Sequence, residues 1–454
     1  MNQSPPMLKF IKILLTGIIV SLFYFPVNFT FFPVVTKNIL GAIGIVCLGV
    51  VLIRKQEFTL PRPLLVMLLF SSFVSIVALF AITYNQTPDD SYVSFIRSTI
   101  IWTSAAFATC CFIWLTHKRI DIPLIINYLA AVGVFQCAIT MVIHYVPAVQ
   151  VFVDATFSQG QDVLKDMGRL YGIGAFLDVG GSRFAGILIG IAFLLEQNRQ
   201  DRNNTSQIWL VLAFITITVI GNMIARTTLV GTLIGLAYIV LMELRNLGWK
   251  EEGFRSSLGS WVVTLVTIIP VVTVLYNTNE DFHELLRFGF EGFFSLFEEG
   301  SWDVDSNNTL KSMVVWPEEL RTWIIGDGYF ANQRNDPNYI GTAGTRGFYM
   351  GTDIGYCRFI FYFGIIGLIA ISAVMIYTGI ISIKIFPKCS LLFMMGVASN
   401  FVVWMKVATD MFPFLVFFAC AGFLHLDLLF IEEKEKEKEK EDEPEGGTEI
   451  PEET

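Results

Sequence analysis

Apolar windows of about 16–25 residues recur along this chain with only short polar breaks, and no other feature narrows the fold as much. A membrane-spanning helix needs roughly 20 apolar residues to cross about 30 Å of hydrocarbon. The windows fall at residues 8–25, 34–53, 63–84, 95–116, 122–146, 181–196, 207–224, 227–244, 259–276, 357–383, 389–405 and 411–431. Backbone polar groups inside a bilayer must be satisfied within each segment, which apolar runs of this length do as helices. The expectation is an all-α polytopic membrane protein of about 12 transmembrane helices with one large external loop.

Composition points the same way. The 454 residues are 54% hydrophobic and 16% charged, too little charge to cover a soluble surface of that size. The net charge of -9 carries little functional information, because residues 432–454 alone hold twelve acids and four lysines. That low-complexity stretch is expected to be a disordered acidic tail following a membrane domain over residues 1–431. The seven cysteines show no CxxC spacing, and the four histidines form no metal-ligand pattern. The first window follows Lys9 and Lys12 but lacks a small-residue cleavage site, so it is read as a retained helix.

Lysines and arginines set the orientation, since they concentrate on the cytoplasmic side. With the N-terminus inside, inner ends collect Arg54, Lys55, Arg62, Lys118, Arg119, Arg199, Lys384 and Lys388, while the outer breaks "FPVNFTFFP" and "NQTPDDSYV" carry no base. An even number of spans returns the acidic tail to the inside. Two outer regions exceed a simple turn. Residues 147–180 mix apolar and polar residues, as an amphipathic or re-entrant element would. Residues 277–352 form the large loop, with helical apolar spacing over 279–300, a second helical stretch opened by "SNN", and an irregular piece rich in Gly, Asn and Tyr.

Against this orientation, six basic residues fall at outer ends: Arg97, Arg169, Arg183, Arg226, Arg358 and Lys406. Two readings stand. Each can snorkel to head groups, or together they can grip phosphate, for which guanidinium is suited by its fixed charge and bidentate geometry. A diphosphate on a membrane lipid would present its charge at that depth. Asp353, in "GTDIGYCRFIFYFGIIG", ends the large loop at the same level. It reads either as a salt-bridge partner of Arg346 or Arg358, or as a group that orients or deprotonates a hydroxyl. Asp89 and Asp90 read as a solvated turn, "GDGYF" at Gly326 as a turn, and His283 as a surface residue.

Four pieces in this order are similar to the O-antigen polymerase and O-antigen ligase family of bacterial envelope glycan enzymes. They are "GRLYGIGAFLD" (with Arg169), "ARTTLVG" (with Arg226), "WIIGDGYF" late in the large loop, and "TDIGYCRFIFYFGIIG" leading into the next span. The resemblance covers most of residues 1–431. It implies an inner-membrane glycosyltransferase with cytoplasmic termini and a periplasmic loop. The donor would be a glycan on undecaprenyl diphosphate and the acceptor a sugar hydroxyl, with no nucleotide sugar, metal or other cofactor.

The family's arginines carry over to Arg169 and Arg226, and to Arg183 less directly. The ligase branch places a His near the end of the large loop; this chain has Asp353 there and no His, which favours the polymerase branch. The expected mechanism is inverting transfer, with Asp353 acting on the acceptor and the arginines on the leaving diphosphate. Arg346, Tyr329, Tyr339, Tyr349, Tyr356 and Arg358 are expected to hold the sugars. Expected partners are undecaprenyl-diphosphate-linked oligosaccharides, membrane lipids and a chain-length regulator; nothing points to nucleic acid. The rivals are ligase-type transfer to lipid or protein and a flippase of lipid-linked sugars, though no internal repeat of the kind transporters show is found.

Overall fold

The computed structural model describes residues 6–56, 59–200, 204–246, 251–332 and 347–442. The first five helices are α1 (Pro6–Tyr24), α2 (Thr36–Lys55), α3 (Arg62–Asn85), α4 (Phe95–His117) and α5 (Ile122–Tyr145). Two short ones follow, α6 (Pro147–Thr156) and α7 (Gln161–Asp166), then α8 (Leu177–Gln200), α9 (Asn204–Ile224), α10 (Thr228–Asn246) and α11 (Glu251–Thr278). The large loop holds α12 (Glu280–Gly289), α13 (Glu291–Glu298), α14 (Asp305–Ser312) and α15 (Leu320–Ile325). The chain ends with α16 (Gly355–Ile385), α17 (Ser390–Val403) and α18 (Phe412–Asp442). One antiparallel pair, β1 (Asn28–Phe29) with β2 (Phe157–Ser158), joins two of the connections.

The chain is an all-α membrane protein. Among the described residues, nine helices are long and apolar enough to cross a bilayer: α1 to α5, α8, α9, α16 and the part of α18 up to Ile431. Three shorter apolar helices, Thr228–Met242, Thr264–Thr278 and Pro387–Val403, stand at the remaining three windows. Local chemistry fixes the ends. Gln56, Gln86 and Lys118 stop α2, α3 and α4 in the left-handed conformation, each returning its N–H to a helix carbonyl. Asp121 caps α5 by accepting from Leu124 N–H at 2.8 Å, followed by a proline in the first turn. Close packing of α10 on α8 depends on Gly231, where a Cβ would overlap the backbone of Ala185.

Contacts gather six connections at one end of the bundle. Residues 25–35 pair with 146–176 through β1 and β2. Asn85 and Thr87 donate to the carbonyls of Gly326 (3.0 Å) and Gly328 (2.8 Å), tying residues 86–94 to the large loop. Arg226 and Lys406 bring in the connections 225–227 and 404–411.

The spanning helix α16 is broken at Phe363 and Gly364, the latter at φ 67° and ψ −171°. Irregular backbone inside a bundle needs partners from protein. Here the carbonyls of Phe361 and Tyr362, just before the break, accept from Asp327 N–H (2.6 Å) and Gly328 N–H (3.1 Å). The "GDGYF" stretch is thus the turn expected from sequence, but one that fills a helix break. Gly326 must be glycine: its φ is 77°, and a Cβ there would press on the Tyr362 backbone at 2.5 Å.

Three expectations are corrected. Residues 432–442, expected to be disordered, continue α18 as helix, consistent with the helix propensity of Glu and Lys; residues 443–454 lie outside the described residues. The helix expected over 279–300 is two helices, α12 and α13, that meet at Phe290. Asp89 is not a solvated turn. It is 2% exposed and accepts from the N–H groups of Phe330 (2.8 Å) and Ala331 (2.9 Å), stapling the 86–94 connection to the large loop.

Candidate functional site

At the loop end of the bundle lies a cavity of about 940 Å³, near the upper limit for small-ligand pockets. Its wall contains Arg169, Arg226, Asp353 and Arg358, four residues singled out from sequence and drawn from three separate parts of the chain.

Arg226 occupies the three-residue connection between α9 and α10, and Arg169 follows α7 and Gly168. Phe288 of α12 holds both: its ring centroid lies 4.2 Å from the Arg169 Cζ and 4.1 Å from the Arg226 Cζ. Arg226 donates to Glu291 at 2.5 Å and to Ser306 at 3.0 Å. Among the described residues Arg169 makes no hydrogen bond and no ion pair; the Phe288 ring is its contact. Burial lowers the pKa of both guanidinium groups, and the charge of Arg226 lowers that of Arg169 further. Glu291 and Asp305 offset part of the effect at Arg226. Both stay cationic at neutral pH, because arginine starts above 12. Asp178 offsets part of the effect at Arg169. The result is a pair of partly desolvated cations of which, among the described residues, only one is ion-paired.

Deeper in the same wall, Lys406 donates to Asp178 at 2.8 Å and to the Thr227 hydroxyl at 3.0 Å, and Thr227 itself donates to Asp178. This knot joins α8, the α9–α10 connection and the turn after α17. Arg358, in the first turn of α16, also lines the cavity. Its Cζ lies 3.7 Å from the Phe330 ring and 3.9 Å from the Phe348 ring, and it donates to the Phe330 carbonyl at 3.3 Å. Its Nε is buried without a hydrogen-bond partner among the described residues. Asp353 is half-buried and acts electrostatically on Arg358. The wall of the cavity thus carries Arg169, Arg226, Arg358 and Lys406 together with the carboxylates of Asp178, Asp305 and Asp353. It can hold a large anion beside a carboxylate able to take a proton.

The other sequence candidates lie elsewhere. Arg183 is 9% exposed, donates to the Tyr24 carbonyl and packs against the Tyr24 and Trp102 rings, away from the Arg169–Arg226 pair. Tyr329 and Tyr349, expected to stack on sugars, stack on each other at 5.2 Å and are each 2% exposed, so no ring face is left over. Tyr356 fastens α16 to α17 by donating to the Phe401 carbonyl at 2.9 Å. Arg97 is exposed, and His283 stacks on Tyr276 at 4.1 Å. Arg346 and Tyr339 lie outside the described residues.

Sequence reasoning missed Asp178 and Phe288 as site residues, and named Lys406 only as one of six outer bases. Asp178 closes the stretch "GRLYGIGAFLD" and Lys406 breaks the charge rule, so both carried a signal; Phe288 is one of 41 phenylalanines and carried none. Among the described residues, no group of three His, Cys, Asp or Glu side chains is placed to hold a metal ion. Comparisons with protein-family models, curated proteins and solved structures give no match to this chain.

Proposed function

We propose that this chain is a membrane glycosyltransferase that polymerises oligosaccharide units carried on a lipid diphosphate. The observation that carries the reading is the Arg169–Arg226 pair on Phe288, opening on the same cavity as Asp353 and Arg358. Holding two like charges together in a desolvated wall is unfavourable until an anion bridges them. A diphosphate leaving group supplies that anion, most strongly as its charge develops.

In this reading the acceptor hydroxyl oxygen attacks the anomeric carbon of the donor sugar. The bond from that carbon to the phosphate oxygen breaks, and the electron pair leaves with the lipid diphosphate held by Arg169 and Arg226. Asp353 orients the acceptor and receives its proton, and Arg358 holds that carboxylate in place. A single displacement inverts the anomeric centre. The reading includes twelve spans, cytoplasmic termini and a periplasmic large loop in a bacterial inner membrane, which puts the cavity where a translocated lipid-linked glycan is presented.

A flippase is the rival from a different class. The broken α16 would suit a transporter, whose ligands bind at unwound helices. In this chain the break is filled by the backbone donors of Asp327 and Gly328, which supports the enzyme instead.

The test is an in vitro assay. Purified protein in detergent receives undecaprenyl-diphosphate oligosaccharide with EDTA and no nucleotide sugar, and products are sized by mass spectrometry. A ladder of longer lipid-linked glycans with released undecaprenyl diphosphate is the expected result. Unchanged substrate, with the native repeat unit supplied, would overturn the reading.

A further inference from the structure

Arg183 stands apart from the cavity pair and belongs to a second set of charges. Its Cζ lies 5.2 Å from the centre of the Trp102 ring. Lys37, near the start of α2, brings its Nζ to 4.8 Å from the same ring. Two cations from two helices therefore converge on one indole. Among the described residues Lys37 makes no hydrogen bond and no ion pair.

The acid facing them is Asp410, on the turn between α17 and α18. It acts electrostatically on both Lys37 and Arg183 yet, among the described residues, forms an ion pair with neither. One carboxylate oxygen accepts the Phe412 N–H at 3.0 Å. The side chain is exposed, and the protein around it raises its pKa. It adjoins the large cavity, because the neighbouring Thr409 lines that cavity.

A structural salt bridge would have closed: Asp410 would rest against one of the cations, since separated charges inside a spanning bundle are costly. Instead three charges from α2, α8 and the α17–α18 turn act on one another with no ion pair among them in the described residues. We infer that Lys37, Arg183 and Asp410 form a second ligand site, which takes an oxyanion carried beside hydroxyl groups. The two cations hold the oxyanion, and the open oxygen of Asp410 accepts a hydroxyl. Two sources have this chemistry: an acidic sugar, and the glycerophosphate head of a membrane lipid. The site stands on the geometry alone and not on the glycosyl-transfer reading.

The test uses the full chain in phosphatidylcholine nanodiscs. Lys37 acetylation by an N-hydroxysuccinimide ester is followed by mass spectrometry, with glucuronate, with glycerol phosphate, with glucose, and in nanodiscs containing phosphatidylglycerol. Several-fold slower labelling of Lys37 with glucuronate assigns an acidic sugar. Protection by glycerol phosphate or phosphatidylglycerol but not glucuronate assigns a lipid head, and either result supports the site. Glucose is expected to give none.

Thermal shifts from the protecting probe are then compared in Lys37→Met and Asp410→Asn, each expected to bind about tenfold more weakly or worse. Equal Lys37 labelling with and without every probe overturns the site, and so does full protection by glucose. The labelling arm uses the unaltered protein, so a variant that fails to fold leaves the test intact.

Discussion

Arg169 and Arg226 share a single aromatic ring, that of Phe288, so their guanidinium groups lie no farther apart than the sum of 4.2 and 4.1 Å. Arg226 is ion-paired with Glu291, whereas among the described residues Arg169 forms no ion pair and Asp178 acts on it only electrostatically. The asymmetry separates what each arginine does for the fold from what it does for a ligand.

Replacing Arg169 with Ala removes one cation–π contact, worth about 0.5–1 kcal/mol, and relieves repulsion from Arg226. The melting temperature should move by no more than about 3 °C. Polymerisation should fall about 100-fold or more, as when one donor to a developing oxyanion is lost. Arg226→Ala should be equally inactive but also less stable by about 1–3 kcal/mol, because Glu291 is left half-buried without its partner. Product ladders and thermal unfolding of both variants check the contrast. Retained chain growth in Arg169→Ala would remove the clamp from the mechanism.

Inorganic pyrophosphate should bridge the same pair in the absence of any glycan. Binding to the folded state alone stabilises it, by about 2.7 kcal/mol at a hundred times the dissociation constant. A pyrophosphate-dependent rise in melting temperature is expected for the unaltered protein and should vanish in Arg169→Ala. An equal rise in both would place the anion elsewhere.

Asp327 gives stability a pH dependence outside the spans. Burial raises its pKa above the ordinary carboxylate value near 3.9, and hydrogen bonds from Thr322 (2.6 Å) and Tyr349 (3.1 Å) and the charge of Arg321 offset part of the rise. Between the ordinary value and the raised one, the folded state binds a proton that the unfolded state does not. Its contribution is therefore full below about pH 3.9 and is lost as pH rises through the folded pKa, with a slope of up to about 1.4 kcal/mol per pH unit. Asp327→Asn should flatten that part of the profile. Thermal unfolding between pH 4 and 8 decides it, and identical slopes would exclude Asp327 as the cause.

Nine spans among the described residues were legible because bilayer thickness writes itself into sequence as runs of fixed length; most helix ends moved by only a few residues, although α11 starts earlier, at Glu251, and α18 runs on to Asp442. Arg169, Arg226, Asp353 and Arg358 were legible for a related reason: a charge at the edge of an apolar run stands out. What could not be read was direction. Arg183 is no less conspicuous than Arg226, but it turns toward Trp102 and Tyr24, and only packing reveals that. Tyr329 looked like a sugar platform because the loop around it is rich in Gly and Asn. Its pairing with Tyr349 joins residues twenty apart through a fold of the loop that has no period. Asp89 misled for the same reason, since its partners Phe330 and Ala331 are about 240 residues away.

The break in α16 makes the sharpest prediction about stability. Gly364 combines φ 67° with ψ −171°, a region essentially closed to residues with a side chain, where occupancy costs about 1–3 kcal/mol. A Cβ there would also overlap the Ile324 carbonyl at the end of α15. Relieving that overlap would push α15 and the Asp327–Gly328 turn off the break, stripping the Phe361 and Tyr362 carbonyls of their donors. Gly364→Ala should therefore cost more than backbone strain alone. Because the same segment leads into Phe330, which stacks on Arg358, activity should fall with it. Gly347 borders the same cavity with nothing near its Cβ position, so Gly347→Ala serves as the control and should melt like the unaltered protein. Equal melting temperatures for the two variants would mean that the loop is not what holds the break.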